Sequence, residues 1–184
     1  MFDDDLALDG TDGLSGLLDR FEARADLSFA RDRELELADR SRTEYRSVPL
    51  AGRLLASVGG DVTLLVGGAG TVDGVLERVA ADWVEVRGSR SWIVRRDAVE
   101  SVVGASDRSL PEAVWPASAV LGVGSPLREL AAEGGRVRLH LVDGGHYDGT
   151  LLRIGADFAE VAVGMPPHDV LVSFEAIAAV SVRM

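Results

Sequence analysis

Apolar and polar residues alternate twice along the chain in the same phase. Val62, Leu64 and Val66 alternate with Thr63 and Leu65, and Val137, Leu139 and Leu141 alternate with Arg138 and His140, which predicts two strands with one buried face each. Ahead of each lies a short segment with helical spacing. Each is expected to stop at a glycine pair, Gly59-Gly60 or Gly134-Gly135. Behind each lies a glycine turn, Gly67-Gly68 or Asp143-Gly144-Gly145, which predicts a hairpin into a second strand. Gly74 and Gly149 fall inside that second strand, where a glycine permits a bend or bulge. A third strand at Trp83 or Phe158, a fourth through Ile93 or Leu171 and a fifth through Val102 or Val180 complete each set. One helix and five bent strands in so short a segment predict a small closed β-barrel, made twice.

The duplication is measurable in the residues themselves. Residues 60–86 laid over residues 135–161 without a gap are identical at twelve of twenty-seven positions, where chance gives about two. Downstream the match resumes after a three-residue insertion, pairing Ile93-Val94 with Leu171-Val172 and Ala98-Val99 with Ala176-Ile177. Two copies are too few for a solenoid, so duplicated domains are the expectation. The predicted division is an acidic, partly disordered helical arm over 1–47, a first barrel over 48–104, a linker over 105–122 and a second barrel over 123–184. In the linker, Trp115 is expected to plug the space between the barrels.

In the arm, Leu14, Leu17, Leu18, Phe21, Ala25 and Phe29 recur at helical spacing on a highly charged segment. Such a helix is unstable alone, so the stripe is a candidate partner-binding face. The arm carries 13 acids against 7 arginines, a net −6 of the chain's −11. Charge of that sign repels phosphate backbones.

Composition removes several function classes. There is no cysteine, and therefore no disulfide, thiolate metal site or cysteine nucleophile. No serine sits in a nucleophile elbow, and the glycine run from Val66 lacks the Gly-Lys-Ser/Thr ending of a phosphate loop. His140, His146 and His168 are the only histidines, the first on a polar strand face and the others in separate predicted turns. A metal site needs at least three converging ligands, so no metal, cofactor or enzymatic activity is expected. No apolar run approaches the length of a membrane span. A cytoplasmic location with no membrane partner is the expectation. All nineteen positive charges are arginine, and four of them stand in "RGSRSWIVRR" with no acid among them. Arg87, Arg90, Arg95 and Arg96, with an exposed Trp92 to stack on a base, form a candidate nucleic-acid or anion surface.

The order of elements, and "VRLHLVDGGHYDGTLLRIGADFAEVAV" in particular, resembles the Sm-like family of small β-barrels. The likeness rests on the alternating first strand, the Asp143-Gly144 turn, Gly149 and Leu151 in the bent strand, and Asp157 ahead of the third strand. The close of the chain, with Ala176-Ile177 and Val180 in sequence, is similar in spacing to the bacterial Sm-like RNA chaperones. The resemblance implies a mainly β protein of two tandem five-stranded barrels, each preceded by a short helix. It does not carry over the family's uridine pocket. The Asn of that pocket falls on Ala159 or Glu160, and its Lys-His pair on Phe174-Glu175, or on Arg96-Asp97 in the first copy. The whole chain also resembles actinobacterial proteins described as Fis-type regulators, although no helix-turn-helix pattern accompanies that likeness. The leading expectation is a non-enzymatic assembly or adaptor protein, a homo-oligomer (dimer or ring) that binds protein partners through barrel edges and the N-terminal helix. The alternative is an RNA-binding regulator that uses Arg87 to Arg96.

Overall fold

The computed structural model describes residues 45–182. The arm's stripe from Leu14 to Phe29 therefore lies outside the described residues. The chain divides into two units, Met1–Val48 and Pro49–Met184. Of the first, Tyr45 and Arg46 are helical. The second is mainly β and holds ten strands, two short α-helices and four 3-10 turns.

Its first half runs α1 (Leu50–Leu55), β1 (Asp61–Val66), β2 (Gly70–Val79), β3 (Trp83–Arg87), β4 (Ser91–Arg95) and β5 (Val99–Val103). Its second half repeats the order with α2 (Gly124–Glu133), β6 (Arg136–Leu141), β7 (His146–Ile154), β8 (Phe158–Val163), β9 (His168–Ser173) and β10 (Ile177–Val182). The same register repeats in the matching ladders of the two halves. Val62 faces Gly74 as Val137 faces Gly149, and Leu64 faces Val102 as Leu139 faces Val180. Val62 and Val137, Leu64 and Leu139, and Leu76 and Leu151 are buried in pairs. The bend also repeats. A Cβ on Gly74 would collide with the Arg87 carbonyl, and one on Gly149 with the Ala162 carbonyl, so both strands pass too close to their neighbour for a side chain. A bulge follows each, between Leu76 and Arg78 and between Leu151 and Arg153.

The halves do not close separately, which departs from the two closed barrels expected. One antiparallel sheet runs β5-β1-β2-β3-β4-β10-β6-β7-β8-β9. Neither half pairs its own fourth strand with its own fifth; instead β4 pairs with β10, Val94 facing Ala179 and Ile93 facing Val180. Side chains cross that seam in both directions. Ala178 and Ala179 of β10 join the first core, while Ala80, Trp83 and Ile93 join the second. Gly68, in the β1–β2 turn, lies so close to the Leu141 carbonyl of the other half that no Cβ fits there.

Two local expectations are corrected. Gly134 ends α2 in the left-handed conformation as predicted, but α1 ends at Leu55, capped by Ala56, before it reaches Gly59-Gly60. Backbone bonds from Ser57 and Gly60 carry the chain through turns to β1 instead. Trp115 packs on the first core and donates its indole N–H to the Leu110 carbonyl at 2.8 Å, so it does not plug a gap between halves. The linker is fixed at several points. Leu110 N–H reaches the Gly52 carbonyl at 3.0 Å, Arg53 Nε reaches the Ser106 carbonyl at 2.7 Å, and Trp83 Nε1 reaches the Leu121 carbonyl at 3.0 Å.

Candidate functional site

The arginines of the basic stretch are placed by strand ends, and they do not act together. Arg87 ends β3, opposite Val75, and its Nη2 reaches along the neighbouring strand to donate to the Glu77 carboxylate at 2.7 Å. The Glu77 hydrogen bonds, and then its charge, raise the Arg87 pKa. Arg95 ends β4 and donates to the Phe174 carbonyl of the second half at 2.6 Å and to Asp97 at 2.9 Å. Arg96 donates to the carbonyls of Ala80 and Ala81, holding the β2–β3 turn. These three therefore have structural partners. Trp92, expected to be exposed, is half-buried against the first core because β4 is an interior strand of the continuous sheet.

Arg90 differs. It precedes β4, beside the last pair of the β4–β10 ladder, Val182 facing Ser91, while β10 pairs with β6 along its other edge. There it lines a cleft of about 450 Å³ with Arg136, Val137, Arg138, Asp148 and Ser181. Alternation explains the placement on the second half. Val137 and Leu139 point into the core, so Arg136, Arg138 and His140 occupy the opposite face of β6. Arg138 faces Asp148 in the β6–β7 ladder and holds it through two hydrogen bonds of 2.7 Å, a fork-on-carboxylate geometry. Those bonds hold the Asp148 carboxyl below its ordinary pKa. The guanidinium groups of Arg90 and Arg136 make no hydrogen bond or ion pair with another described residue.

Behind the arginines lies a small packed layer. The His140 and Trp92 rings sit 5.1 Å apart, and His140 Nε2 lies 3.2 Å from the hydroxyl of buried Ser181. Burial, and then the charges of Arg138, His146 and Arg90, lowers the His140 pKa, with Asp148 opposing. These surroundings favour the neutral form of the His140 imidazole. His146 lies 3.8 Å from Asp148. His146 and His168 begin strands β7 and β9 rather than sitting in turns. No group of three or more His, Asp or Glu side chains placed to hold a metal occurs among the described residues.

Of the residues that line the cleft, the sequence reading named Arg90 and did not name Arg136, Arg138 or Asp148. The missing signal is non-local. Arg90 and Arg136 are brought together only by the β4–β10 seam, which no local spacing announces. No helix among the described residues is long and apolar enough to cross a membrane. No family model matches the chain, and no curated protein matches it.

Proposed function

We propose that the chain is a tandem Sm-like assembly module, each half a five-stranded barrel-type curl preceded by a short helix, which joins further copies and protein partners through its terminal strands. The observation that supports this reading is the β4–β10 seam. Within the chain, the fourth strand of one half receives the fifth strand of the other. The same two kinds of edge remain at the ends of the sheet, a fifth strand at β5 and a fourth strand at β9. Both carry exposed apolar side chains, Val103 at 69% and Leu171 at 65%. An uncovered edge is a template for a further strand.

The repeat converts the seam into a register for the contact between chains. Shifting each partner by the 78-residue offset that relates these strands sets Ser101 against Val172, Val102 against Leu171 and Val103 against Val170. The contact is head-to-tail, so it closes into a ring or propagates. A two-chain ring would hold four halves, and a three-chain ring six. We read the module as non-enzymatic and homo-oligomeric. The RNA-binding alternative has weaker support, because Arg87, Arg95 and Arg96 already hold intramolecular partners.

The natural absence of cysteine makes the test clean. A Val102→Cys, Leu171→Cys double variant should crosslink between chains under mild oxidation, since facing residues in an antiparallel pair lie within disulfide reach. Light scattering should give a multiple of the chain mass, and Leu171→Asp should reduce it to one chain. A monomer mass at micromolar concentration, independent of dilution, would overturn the proposal.

A further inference from the structure

The second-half wall of the cleft at the seam has no counterpart in the first half, and this is its most informative property. At the positions equivalent to Arg136, Arg138, His140 and His146, the first half carries Asp61, Thr63, Leu65 and Thr71. The ladder is the same and the buried residues match, so packing does not demand the change. It gathers three arginines around a single carboxylate in a chain of net charge −11. Asp148 is already engaged by Arg138. Two guanidiniums, one from each half, line the cleft without a hydrogen bond or ion pair to another described residue.

We propose that this cleft binds a small phosphorylated molecule, its phosphate held between Arg90 and Arg136, with Ser181 and the Arg138–Asp148 pair forming the wall. Guanidinium forks match phosphate oxygens bidentately, and their low hydration makes them the usual residue for that contact. A volume of about 450 Å³ lies within the range of small-ligand sites. A polymer would have to lie along the surface of a strongly acidic protein, where the global field opposes it. A single phosphate group entering a local positive cleft does not meet that field over its length. The Ser181 hydroxyl has a donor or acceptor to spare beside His140 Nε2, because a hydroxyl offers one proton and two lone pairs. A ligand between Arg90 and Arg136 touches both halves. It would therefore tighten the joint between them and stabilise the fold as its concentration rises.

The test uses the full chain with inorganic phosphate, adenosine 5′-diphosphate, citrate and a ten-nucleotide uridine oligomer as probes, by calorimetry at low salt. Phosphate and the diphosphate should compete for one site per chain, and both should raise the melting temperature. An Arg90→Gln, Arg136→Gln variant should bind about tenfold or more weakly, the scale expected for losing charge-assisted hydrogen bonds. Arg90→Lys with Arg136→Lys should fall between, which separates fork geometry from net charge. Arg87→Gln, which removes an arginine already paired with Glu77, should leave affinity unchanged. Circular dichroism of each unliganded variant distinguishes lost binding from lost folding. Absence of binding by either phosphate probe at millimolar concentration would overturn the proposal. So would unchanged affinity in the folded double variant, citrate binding as tightly as phosphate, or binding by the oligomer alone, the last of which would restore the RNA reading. The chain mass measured in the same samples keeps this result separate from the fate of the assembly proposal.

Discussion

Along β1 the first half carries Asp61, Thr63 and Leu65 between its buried residues, and along β6 the second half carries Arg136, Arg138 and His140 in the same register. Burial accounts for the difference in freedom. Leu64 and Leu139 are fully buried and unchanged, because either would leave a cavity if shortened. The opposite face has no such constraint and has diverged. In the second half the divergence lies beside the last pair of the β4–β10 ladder, against Arg90 of the first half. In the first half the equivalent surface borders the free edge of β5, where Val103 stands in place of Ser181. A duplicated frame thus presents an internal joint with polar chemistry and an outer edge with apolar side chains.

The strongest challenge to this comparison is to the buried face. Leu64→Ala and Leu139→Ala should each lower stability by about 2–5 kcal/mol, and the two losses should agree to within about 1 kcal/mol. Denaturant titration should show a single transition in both, because side chains of each half enter the core of the other across the seam. Two separated transitions would mean that the halves fold independently and that the seam is energetically minor.

How much of this frame was legible follows from where each signal sits. The gapless offset carries Val62 onto Val137 and Gly74 onto Gly149, so strand phase and the bend are both readable in the sequence. Strand ends shared by the halves were equally readable, because Asp82 and Asp157 each precede an aromatic that opens a strand. The seam was not readable. Two edges of complementary register carry no periodicity that says whether they meet within the chain or between chains. That single ambiguity accounts for the misplacement of Trp92, for the expectation of separately closed barrels and for the omission of Arg136 and Arg138 from the site. The end of α1 failed for a local reason. Gly59 does adopt a positive φ of 87°, but in the turn that leads to β1 rather than at the helix end.

A middle-sized effect is expected where one aromatic differs between the halves. Trp83 and Phe158 occupy equivalent positions, yet only Trp83 has a donor, and its N–H holds the Leu121 carbonyl of the linker. Trp83→Phe should lower stability by about 1 kcal/mol for the hydrogen bond, plus a contribution from the volume lost in a buried site. Hydrogen exchange should quicken in the linker near Leu121 and stay unchanged in β8 and β9. Equal exchange in both regions after Trp83→Phe would show that the linker is held by other bonds, those of Arg53 and Leu110 among them.

The smallest effect should come from the paired charges that both halves retain. Arg78 donates to Glu85 and also reaches Glu129 of α2 at 3.3 Å, whereas Arg153 holds Glu160 through two bonds of 2.6 and 2.9 Å. The Arg153 hydrogen bonds hold the Glu160 pKa below its ordinary 4.5. The native state therefore binds that proton less readily than the unfolded chain. Its contribution is fully present above the ordinary value and is lost as pH falls through the lowered one. Comparing the chain with Glu160→Gln, the stability difference should be constant from neutral pH down to the ordinary glutamate range and then shrink in more acidic solution. Arg153 is 80% exposed at its side chain, so the difference should also shrink with added salt. A stability difference that grew on acidification would mean that Glu160 takes up a proton on folding, contrary to the geometry of its two arginine bonds.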